Sequence, residues 1–293
     1  MCDNSRGMRA HAMMHLQWRR GGDEELSVLW QRGFGDDPEW IDRFFRCLPQ
    51  TRSAVLLQDG QAISMALAMD GMTLIRPGHA ALPLVYAYCV TTLPEHRGQG
   101  CSRRIMRALH EDAKQRGALL CWRPATAALA DWYAAILPVQ SGFPLSTRTE
   151  QARPDANCAA VTLHPAAPTD YAAAREVLLT SQAHAAFSPA LLTLQAENSA
   201  ASGGGLWLLQ SPTGHGCAIT ECGEDGVLYV KELLSDTLSY TDAAQALLHA
   251  HSAHTAHIRF PSCNDDAAQP AVQIASETPA EGIDNAWFGL FFD

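Results

Sequence analysis

Two glycines and an arginine, close together in the chain, are residue types that suit a phosphate-binding loop. They are Arg97, Gly98 and Gly100, and a charged run that ends at Gly117 follows them. Glycine lets the backbone approach a ligand closely and adopt dihedral angles that other residues avoid. A helix N-terminus offers unpaired N–H groups and a partial positive charge, both of which suit an anion. The segment is therefore a candidate cradle for a pyrophosphate, and Arg103 adds positive charge beside it.

A strand and a helix are predicted on the two sides of this loop. Residues 84–92 are apolar, aromatic and β-branched, which predicts a buried strand, and Pro94 ends it because proline has no N–H to donate. Residues 102–116 have helical periodicity, and Gly117 is a suitable C-terminal stop. The apolar residues on one face of that helix are Ile105, Met106, Leu109 and Ala113. This order places the two glycines at the N-terminus of a helix.

Two nucleotide-binding loops are excluded by the residues that follow the glycines. A Walker loop requires Gly-Lys-Ser or Gly-Lys-Thr, and no such tripeptide follows. The dinucleotide-binding fingerprint requires a third glycine, and its spacing puts that glycine at the position of Arg103. An ordinary glycine-rich connection between a strand and a helix is the structural alternative to a phosphate cradle.

The pattern Arg97-x-x-Gly100-x-Ser102, after a strand and before an amphipathic helix, resembles motif A of the GCN5-related N-acetyltransferases. The family pattern is Arg/Gln-x-x-Gly-x-Gly/Ala, from which Ser102 departs only by one small residue. The resemblance implies an α/β (α+β) fold with a mixed, mostly antiparallel twisted sheet flanked by helices. It also implies an acyltransferase that uses acetyl-CoA as co-substrate and needs no metal, in which a primary amine attacks the thioester directly.

The same resemblance implies how acetyl-CoA is held. Backbone groups at the splayed end of the strand bind the pantetheine and the acetyl carbonyl, and amides of the loop bind the pyrophosphate. The residues implied in cofactor binding are Val90, Thr91, Thr92, Arg97, Gly98, Gln99, Gly100, Cys101, Ser102 and Arg103.

A Trp-Tyr pair downstream supplies the candidate catalytic residue. Trp132 and Tyr133 lie on a predicted helix that Thr126 caps, and they match an aromatic-Tyr pair of the family. By the resemblance, Tyr133 is the general acid that protonates the departing thiolate. In the family pattern a Gly-Phe dipeptide follows that pair closely. In this chain the corresponding dipeptide is Gly142-Phe143, which lies farther from Tyr133 than the family spacing. A buried tyrosine whose hydroxyl binds a backbone carbonyl is the structural alternative.

The general base is left open by the sequence. Glu95 and His96 lie beside the cradle, Asp131 lies next to the tyrosine, and the C-terminal carboxylate of Asp293 would reach the site if the last strand ended there. A chain of water molecules leading to solvent is an equal alternative.

Composition sets limits on partners and compartment. The chain has 293 residues, 47% of them hydrophobic, and a net charge of −10, which excludes a general nucleic-acid binder and suits a basic small-molecule or peptide amine. Nine cysteines without C-x-x-C spacing indicate reduced thiols. No apolar run reaches membrane-spanning length and no signal-peptide core is present, so we expect a cytoplasmic protein without a membrane partner. A homodimer is left open.

Two tandem domains of this fold are predicted, because the second half repeats the order of elements of the first. The predicted division is a disordered leader over 1–14, a catalytic domain with the acetyl-CoA site over 15–148, and a degenerate domain over 155–293. Residues 235–240 contain neither glycine nor arginine, and Asp236 would repel a pyrophosphate. One cofactor site is therefore expected. A non-catalytic acyl-CoA-binding or regulatory module is the alternative function.

Several local predictions concern the elements around the site. A helix over 24–32 is expected to stop at Gly33, residues 146–154 to form an exposed strand end and linker, and residues 286–292 to form the last strand. Trp40 and Phe44 recur at helical spacing and are core residues or a wall of the acceptor pocket. Four histidines near the end of a later helix, His249, His251, His254 and His257, favour a solvated helix end over a metal site.

Overall fold

The computed structural model of the chain describes residues 14–154, 161–261, 269–277, 281–283 and 286–290. The helices are α1 (Glu24–Phe34), α2 (Pro38–Cys47), α3 (Cys101–Gln115), α4 (Ala127–Ala134), α5 (Pro168–Leu178), α6 (Pro189–Ala201) and α7 (Tyr240–Ala250). The strands of the first half are β1 (Met14–Arg20), β2 (Arg52–Gln58), β3 (Gln61–Ile75), β4 (Leu82–Thr92), β5 (Leu119–Trp122) and β6 (Val139–Gln151). The strands that follow are β7 (Thr162–Pro165), β8 (His184–Phe187), β9 (Gly205–Ser211), β10 (Gly214–Cys222), β11 (Val227–Ser235), β12 (Thr255–Phe260) and β13 (Gln269–Ala275).

The strands form one continuous sheet with helices packed on it. Its order is β1-β2-β3-β4-β5-β13-β6-β12-β11-β10-β9-β7, and β8 pairs with β3 outside this path. The pairs β4/β5 and β11/β12 are parallel, and the other neighbours are antiparallel. This confirms the predicted fold class, a mixed and mostly antiparallel sheet flanked by helices. No helix of the described residues has the length and apolarity needed to cross a lipid bilayer.

The two halves repeat the same order of elements. Strand, two helices, three antiparallel strands, a crossover helix and a parallel strand follow each other from β1 to β5 and again from β7 to β12, with β8 added between the two helices of the second half. A parallel pair requires such a crossover, which α3 provides in the first half and α7 in the second.

The halves also exchange strands, which the sequence did not indicate. β13, from the end of the chain, lies between β5 and β6 of the first half. β6 pairs with β13 from Val139 to Leu145 and with β12 from Ser146 to Gln151, so it belongs to both halves of the sheet. The strand end predicted within 146–154 is found as far as Gln151, but it is not exposed throughout, because it pairs with β12 and Ser146 and Glu150 are buried.

The predicted domain division stays a prediction. Residues 1–13 and 155–160 lie outside the described residues, and Met14 is the first residue of β1 rather than part of a leader. Because β13 returns to the first half, a single cut in the sequence does not separate the two halves of the sheet.

Two local predictions are wrong for identifiable reasons. Gly33 does not stop α1; the helix continues to Phe34, and Gly35 ends it in the left-handed conformation at φ 76°. Residues 286–290 form no strand and make only an isolated bridge between His184 and Trp287. An apolar run indicates burial, which is found here, but it does not by itself indicate pairing.

A buried ionic cluster fixes this apolar segment in the core. Glu232, which is fully buried, accepts hydrogen bonds from Arg175 Nε at 2.9 Å, from the Tyr171 hydroxyl at 2.5 Å and from the Trp287 indole. Arg175 also donates to the carbonyl oxygen of Phe288 at 3.2 Å. Each buried charge therefore has partners, which is the condition for keeping it out of water.

Breaking this cluster should destabilise the protein strongly. Arg175→Met leaves the Glu232 carboxylate buried without its cation, and we expect a loss of about 3–5 kcal/mol in the free energy of unfolding, measured by urea denaturation. The matched control is Arg46→Met, because Arg46 pairs with Glu197 at the exposed surface. The control should lose no more than about 1 kcal/mol. Equal losses in the two variants would contradict the structural role of the cluster.

Candidate active site

A bulge in β4 opens the sheet at the centre of the first half. Met65 of β3 pairs with Thr91 of β4, and Leu67 pairs with Tyr88, so two residues of β4 face one of β3. The bulged residue Cys89 has φ 53°, a left-handed conformation that a non-glycine residue adopts only when its surroundings hold it there. Pairing with β5 covers only Leu84 to Tyr86. Beyond the bulge, β4 and β5 diverge and leave a wedge between them.

A chain of hydroxyl groups holds the end of β4 against the start of α3. Ser64 Oγ donates to the carbonyl oxygen of Thr91 at 2.6 Å and is 2.8 Å from Thr92 Oγ1, which is 2.8 Å from Ser102 Oγ. A hydroxyl has one hydrogen to donate, so the direction is fixed: Ser102 donates to Thr92, Thr92 to Ser64, and Ser64 to Thr91. The Ser102 hydroxyl proton is therefore used to join the helix to the strand.

The predicted cradle has an open conformation. Gly98 and Gly100 both have φ 77°, and a Cβ at either position would meet no atom within 4 Å. Arg97 donates from Nε to the carbonyl oxygen of Thr92 at 3.2 Å, which ties the loop to the strand end. The glycines are thus required by backbone conformation and leave free space above the loop.

The N-terminus of α3 is available to an anion. Arg104 donates the first hydrogen bond of the helix, to Gly100 O at 3.1 Å, and no side chain caps this end. Within the described ranges, the amides of residues 98–103 have no backbone or side-chain acceptor. The first turn contains no acidic residue, unlike that of α1, and the Arg103 side chain is exposed beside it.

The other predicted cofactor residues differ in where their side chains point. Cys101 is 2% exposed and packs in the core of α3 and the sheet, so only its backbone can contribute to the cradle. The Gln99 side chain is exposed at the loop. Val90 lines the wedge between β4 and β5, and Thr91 is buried in contact with α1.

Tyr133 lies at the inner end of the wedge, on α4. The helix begins at the predicted cap, where the Thr126 hydroxyl accepts from the amide of Leu129 at 3.2 Å. The Tyr133 ring packs against those of Trp122 and Trp132, at centroid distances of 5.1 and 5.0 Å. Burial raises the pKa of Tyr133 to about 12, so its phenol stays protonated at neutral pH. Among the described residues, no carbonyl oxygen accepts from it, in contrast to the structural alternative.

A residue that sequence reasoning missed positions this tyrosine. Gln273 of β13 accepts from the Trp122 indole at 2.9 Å and donates to the carbonyl oxygen of Ala130 at 3.1 Å. It therefore ties β5 to α4, the helix that carries Tyr133. No local pattern could have found it, because Gln273 lies 143 positions along the chain from Ala130, which it holds.

The wedge opens into a cavity of about 650 Å³ that both halves line. Its aromatic lining residues are Trp30, Phe34, Trp40, Tyr86, Tyr88, Trp122 and Tyr133. The second half contributes Gln195, Asn198, Glu221 and Lys231. Trp40 thus lines the cavity, whereas Phe44 lies in the core beneath Trp30.

Among the described residues, none of the candidate bases lines this cavity. Glu95 is exposed and pairs with Arg32 at 3.2 Å, and Asp131 is exposed, so neither lines the cavity. His96 is half-buried in the short turn at 94–96 that precedes the loop and does not line the cavity, and Asp293 lies outside the described residues. The carboxylates that line the cavity are Asp36 and Glu221, and sequence reasoning singled out neither as a site residue.

The second half has kept the divergent strands and lost the cradle. The pairing of β11 with β12 begins at Val227 and ends at Val230, opposite Ile258. The next residue, Lys231, forms a bulge opposite β10. A second cavity of about 510 Å³ opens there. The following loop is closed by Asp236, whose pKa is lowered because the amides of Thr237 and His215 donate to its carboxylate. A carboxylate here opposes a pyrophosphate, as the sequence predicted.

The histidine-rich segment gives no metal centre in the part of the chain that the structure describes. No group of three or more His, Cys, Asp or Glu side chains there is close enough to hold an ion. His251 instead packs on Trp207 and lies 3.2 Å from the Thr220 hydroxyl.

Residues 23–130 match the family model described as an acetyltransferase (GNAT) domain. This stretch of the chain is therefore similar to a GCN5-related N-acetyltransferase domain. The matched range covers both the cradle and the divergent strands, so the resemblance seen in motif A extends over most of the first half. No curated protein matches the sequence.

Solved structures show the same fold over nearly the whole chain. A probable N-acyltransferase from Enterococcus faecalis is 19% identical with a TM-score of 0.64, covering 89% of this chain and 72% of that one. A putative acetyltransferase from Pyrococcus horikoshii is 12% identical with a TM-score of 0.58, covering 97% and 96%. A tandem GNAT protein from the clavulanic acid biosynthesis pathway is 12% identical with a TM-score of 0.53, covering 92% and 100%. The tandem GNAT fold is thereby confirmed for the chain.

The close contact between Gly33 of α1 and Thr91 of β4 can be tested as a support of the bulge at Cys89. A Cβ at Gly33 would lie 2.1 Å from Thr91 Oγ1, so Gly33→Ala must push the helix away from the strand. Alanine for glycine inside a helix normally stabilises by about 1 kcal/mol, whereas here we expect a loss of about 1–3 kcal/mol in urea denaturation.

The control for this variant is Gly205→Ala, where the nearest atom would be 3.5 Å away, an ordinary contact. It should lose less stability than Gly33→Ala. A stabilised Gly33→Ala variant would show that α1 does not press on the end of β4.

Proposed function

We propose that the protein is an acetyl-CoA-dependent N-acetyltransferase that acetylates a primary amine of a small molecule or peptide. The observation that carries this proposal is the open loop of Gly98 and Gly100 at an uncapped helix N-terminus, directly beside the wedge between β4 and β5. A pyrophosphate and a thioester arm require these two features next to each other.

The residues of the loop suit the pyrophosphate of acetyl-CoA. Unpaired amides of residues 98–103 and the positive helix end provide donors and charge, and Arg103 adds a cation. The backbone of Val90 and Thr92 lies beyond the last residue of β4 that pairs with β5. The polar groups of Val90 and the amide of Thr92 are therefore offered to the amide groups of the pantetheine, while the Thr92 carbonyl oxygen accepts from Arg97. Acetyl-CoA bound in this way supplies the acetyl thioester at the wedge.

The chemistry requires one bond to form and one to break. A neutral amine attacks the thioester carbonyl carbon, the new C–N bond forms, the C–S bond breaks and the amine loses a proton to solvent or a base. Negative charge develops on the departing sulfur. Tyr133 donates a hydrogen bond, and finally a proton, to that sulfur, because burial keeps its phenol protonated. Because the pKa of Tyr133 is high, its phenol first stabilises the negative charge on the departing sulfur by a hydrogen bond and transfers its proton to that sulfur afterwards.

Binding of acetyl-CoA should depend on free space above the cradle. Gly100→Trp fills that space, and we expect its Kd for acetyl-CoA, measured by isothermal titration calorimetry, to rise about 100-fold or more, which corresponds to about 2.7 kcal/mol. Gly60→Trp is the matched control, because Gly60 also has a positive φ of 82° and open space but lies in the β2–β3 hairpin. Equal affinity in the two variants would exclude the loop as the cofactor site.

Tyr133→Phe should separate catalysis from binding. Loss of the phenol should lower kcat about 100-fold while leaving the Kd for acetyl-CoA unchanged, and Tyr240→Phe serves as control. Because the phenol stays protonated up to about pH 12, its ionisation should cause no fall in kcat between pH 7 and 10. An unchanged kcat in Tyr133→Phe would remove this residue from the mechanism. Acetyl-CoA binding without turnover of any amine would favour the non-catalytic module.

A further inference from the structure

The two carboxylates that line the cavity differ in their partners. Glu221 pairs with Lys231 at 3.2 Å and accepts from Gln195 at 2.8 Å. Asp36 accepts from the Trp30 indole at 2.6 Å, and in the part of the chain that the structure describes no lysine, arginine or histidine pairs with it. Glu221 is thus paired with a cation of the protein, whereas Asp36 is not. Arg43, which donates to Asn198 Oδ1 at 3.2 Å, and Arg123 line the same cavity, so Asp36 offers a ligand one local negative charge.

Asp36 lies close to the bulge that opens the wedge. It follows Gly35, the left-handed residue that ends α1, and precedes Asp37, the N-cap of α2. Burial raises the pKa of the Cys89 thiol, and the negative charge of Asp36 raises it further. The field of the carboxylate therefore reaches the bulged residue of β4, where the proposed reaction takes place.

Aromatic side chains line the cavity around this carboxylate. Phe34, Trp40 and Tyr88 all line it, and Phe34 is 54% exposed. Trp30 lies behind them, with ring centroids 6.5 Å from Trp40 and 5.5 Å from Tyr88. Aromatic faces attract a cation through their quadrupole, and a nearby carboxylate adds direct charge attraction. Apolar faces and one unpaired anion together match a cation that carries an apolar group.

We propose that Asp36, with Phe34, Trp40 and Tyr88, binds the protonated amine of the acceptor, which loses that proton to water before it attacks, and that the acceptor is a small cationic amine with an apolar substituent. This inference rests on the proposed function, because it names the substrate class of the same cavity. A purely structural role for Asp36, as acceptor for the Trp30 indole, is the competing explanation. Asparagine in its place keeps an oxygen that can accept from the indole and removes only the charge.

The test compares two probes that differ in charge but hardly in shape. Benzylamine is protonated at pH 7, and benzyl alcohol is neutral. We expect the wild-type protein to bind benzylamine about 10-fold more tightly than benzyl alcohol in isothermal titration calorimetry. Asp36→Asn should lose this preference. Asp37→Asn, which removes the neighbouring charge outside the cavity and keeps a helix cap, should retain it.

Two results would overturn the inference: equal or absent binding of the probes by the wild-type protein, or an unchanged preference in Asp36→Asn. Melting temperatures of both variants show whether either substitution disturbs the fold. Acetyl-CoA binding, measured on the same samples, tests the proposed function separately. If the protein binds no acetyl-CoA but prefers benzylamine, the proposed function fails and the cation site stands.

Discussion

The divergence of β4 and β5 depends on one strained turn of backbone at Cys89. A residue with a side chain and φ 53° persists only where the surroundings hold it, and here two features hold the strand end beside it. The hydroxyl chain from Ser102 to Thr91 fixes the strand end, and Gly33 lets α1 press directly on Thr91. The bulge places Cys89 and Val90 opposite a single residue of β3, and the pairing with β5 ends at Tyr86, so the end of β4 borders the wedge.

The second half contributes to the site, although its own cradle is lost. β13 crosses back between β5 and β6, and Gln273 on it holds both Trp122 and the helix that carries Tyr133. Glu221 and Lys231 form the far side of the cavity. The buried cluster of Arg175 and Glu232 holds the segment after β13 against Tyr86 through Phe288. These contacts explain how a degenerate half remains coupled to the site in the other half.

The sequence predicted what is encoded locally. The glycine loop at residues 97–102, the helix after it and the cap at Thr126 each depend on neighbours in the chain, and each is found in the structure, whereas pyrophosphate binding by the loop stays a prediction. Gln273 and Asp36 acquire their surroundings through tertiary contacts, so no spacing marks them. The strand predicted at 286–292 is not formed over 286–290, and residues 291–292 lie outside the described residues. The hydrophobicity of 286–290 reflects burial, and the strand that pairs with β5 is the less apolar run over 269–275.

The central claim is that the amides at the start of α3, and not those of the equivalent loop in the second half, bind the pyrophosphate of acetyl-CoA. Hydrogen–deuterium exchange with and without acetyl-CoA tests it directly, because unpaired amides exchange rapidly and bound ones slowly. We predict slower exchange in peptides covering residues 98–103 and no change over 235–239. Protection of residues 235–239, or none in either loop, would contradict the account.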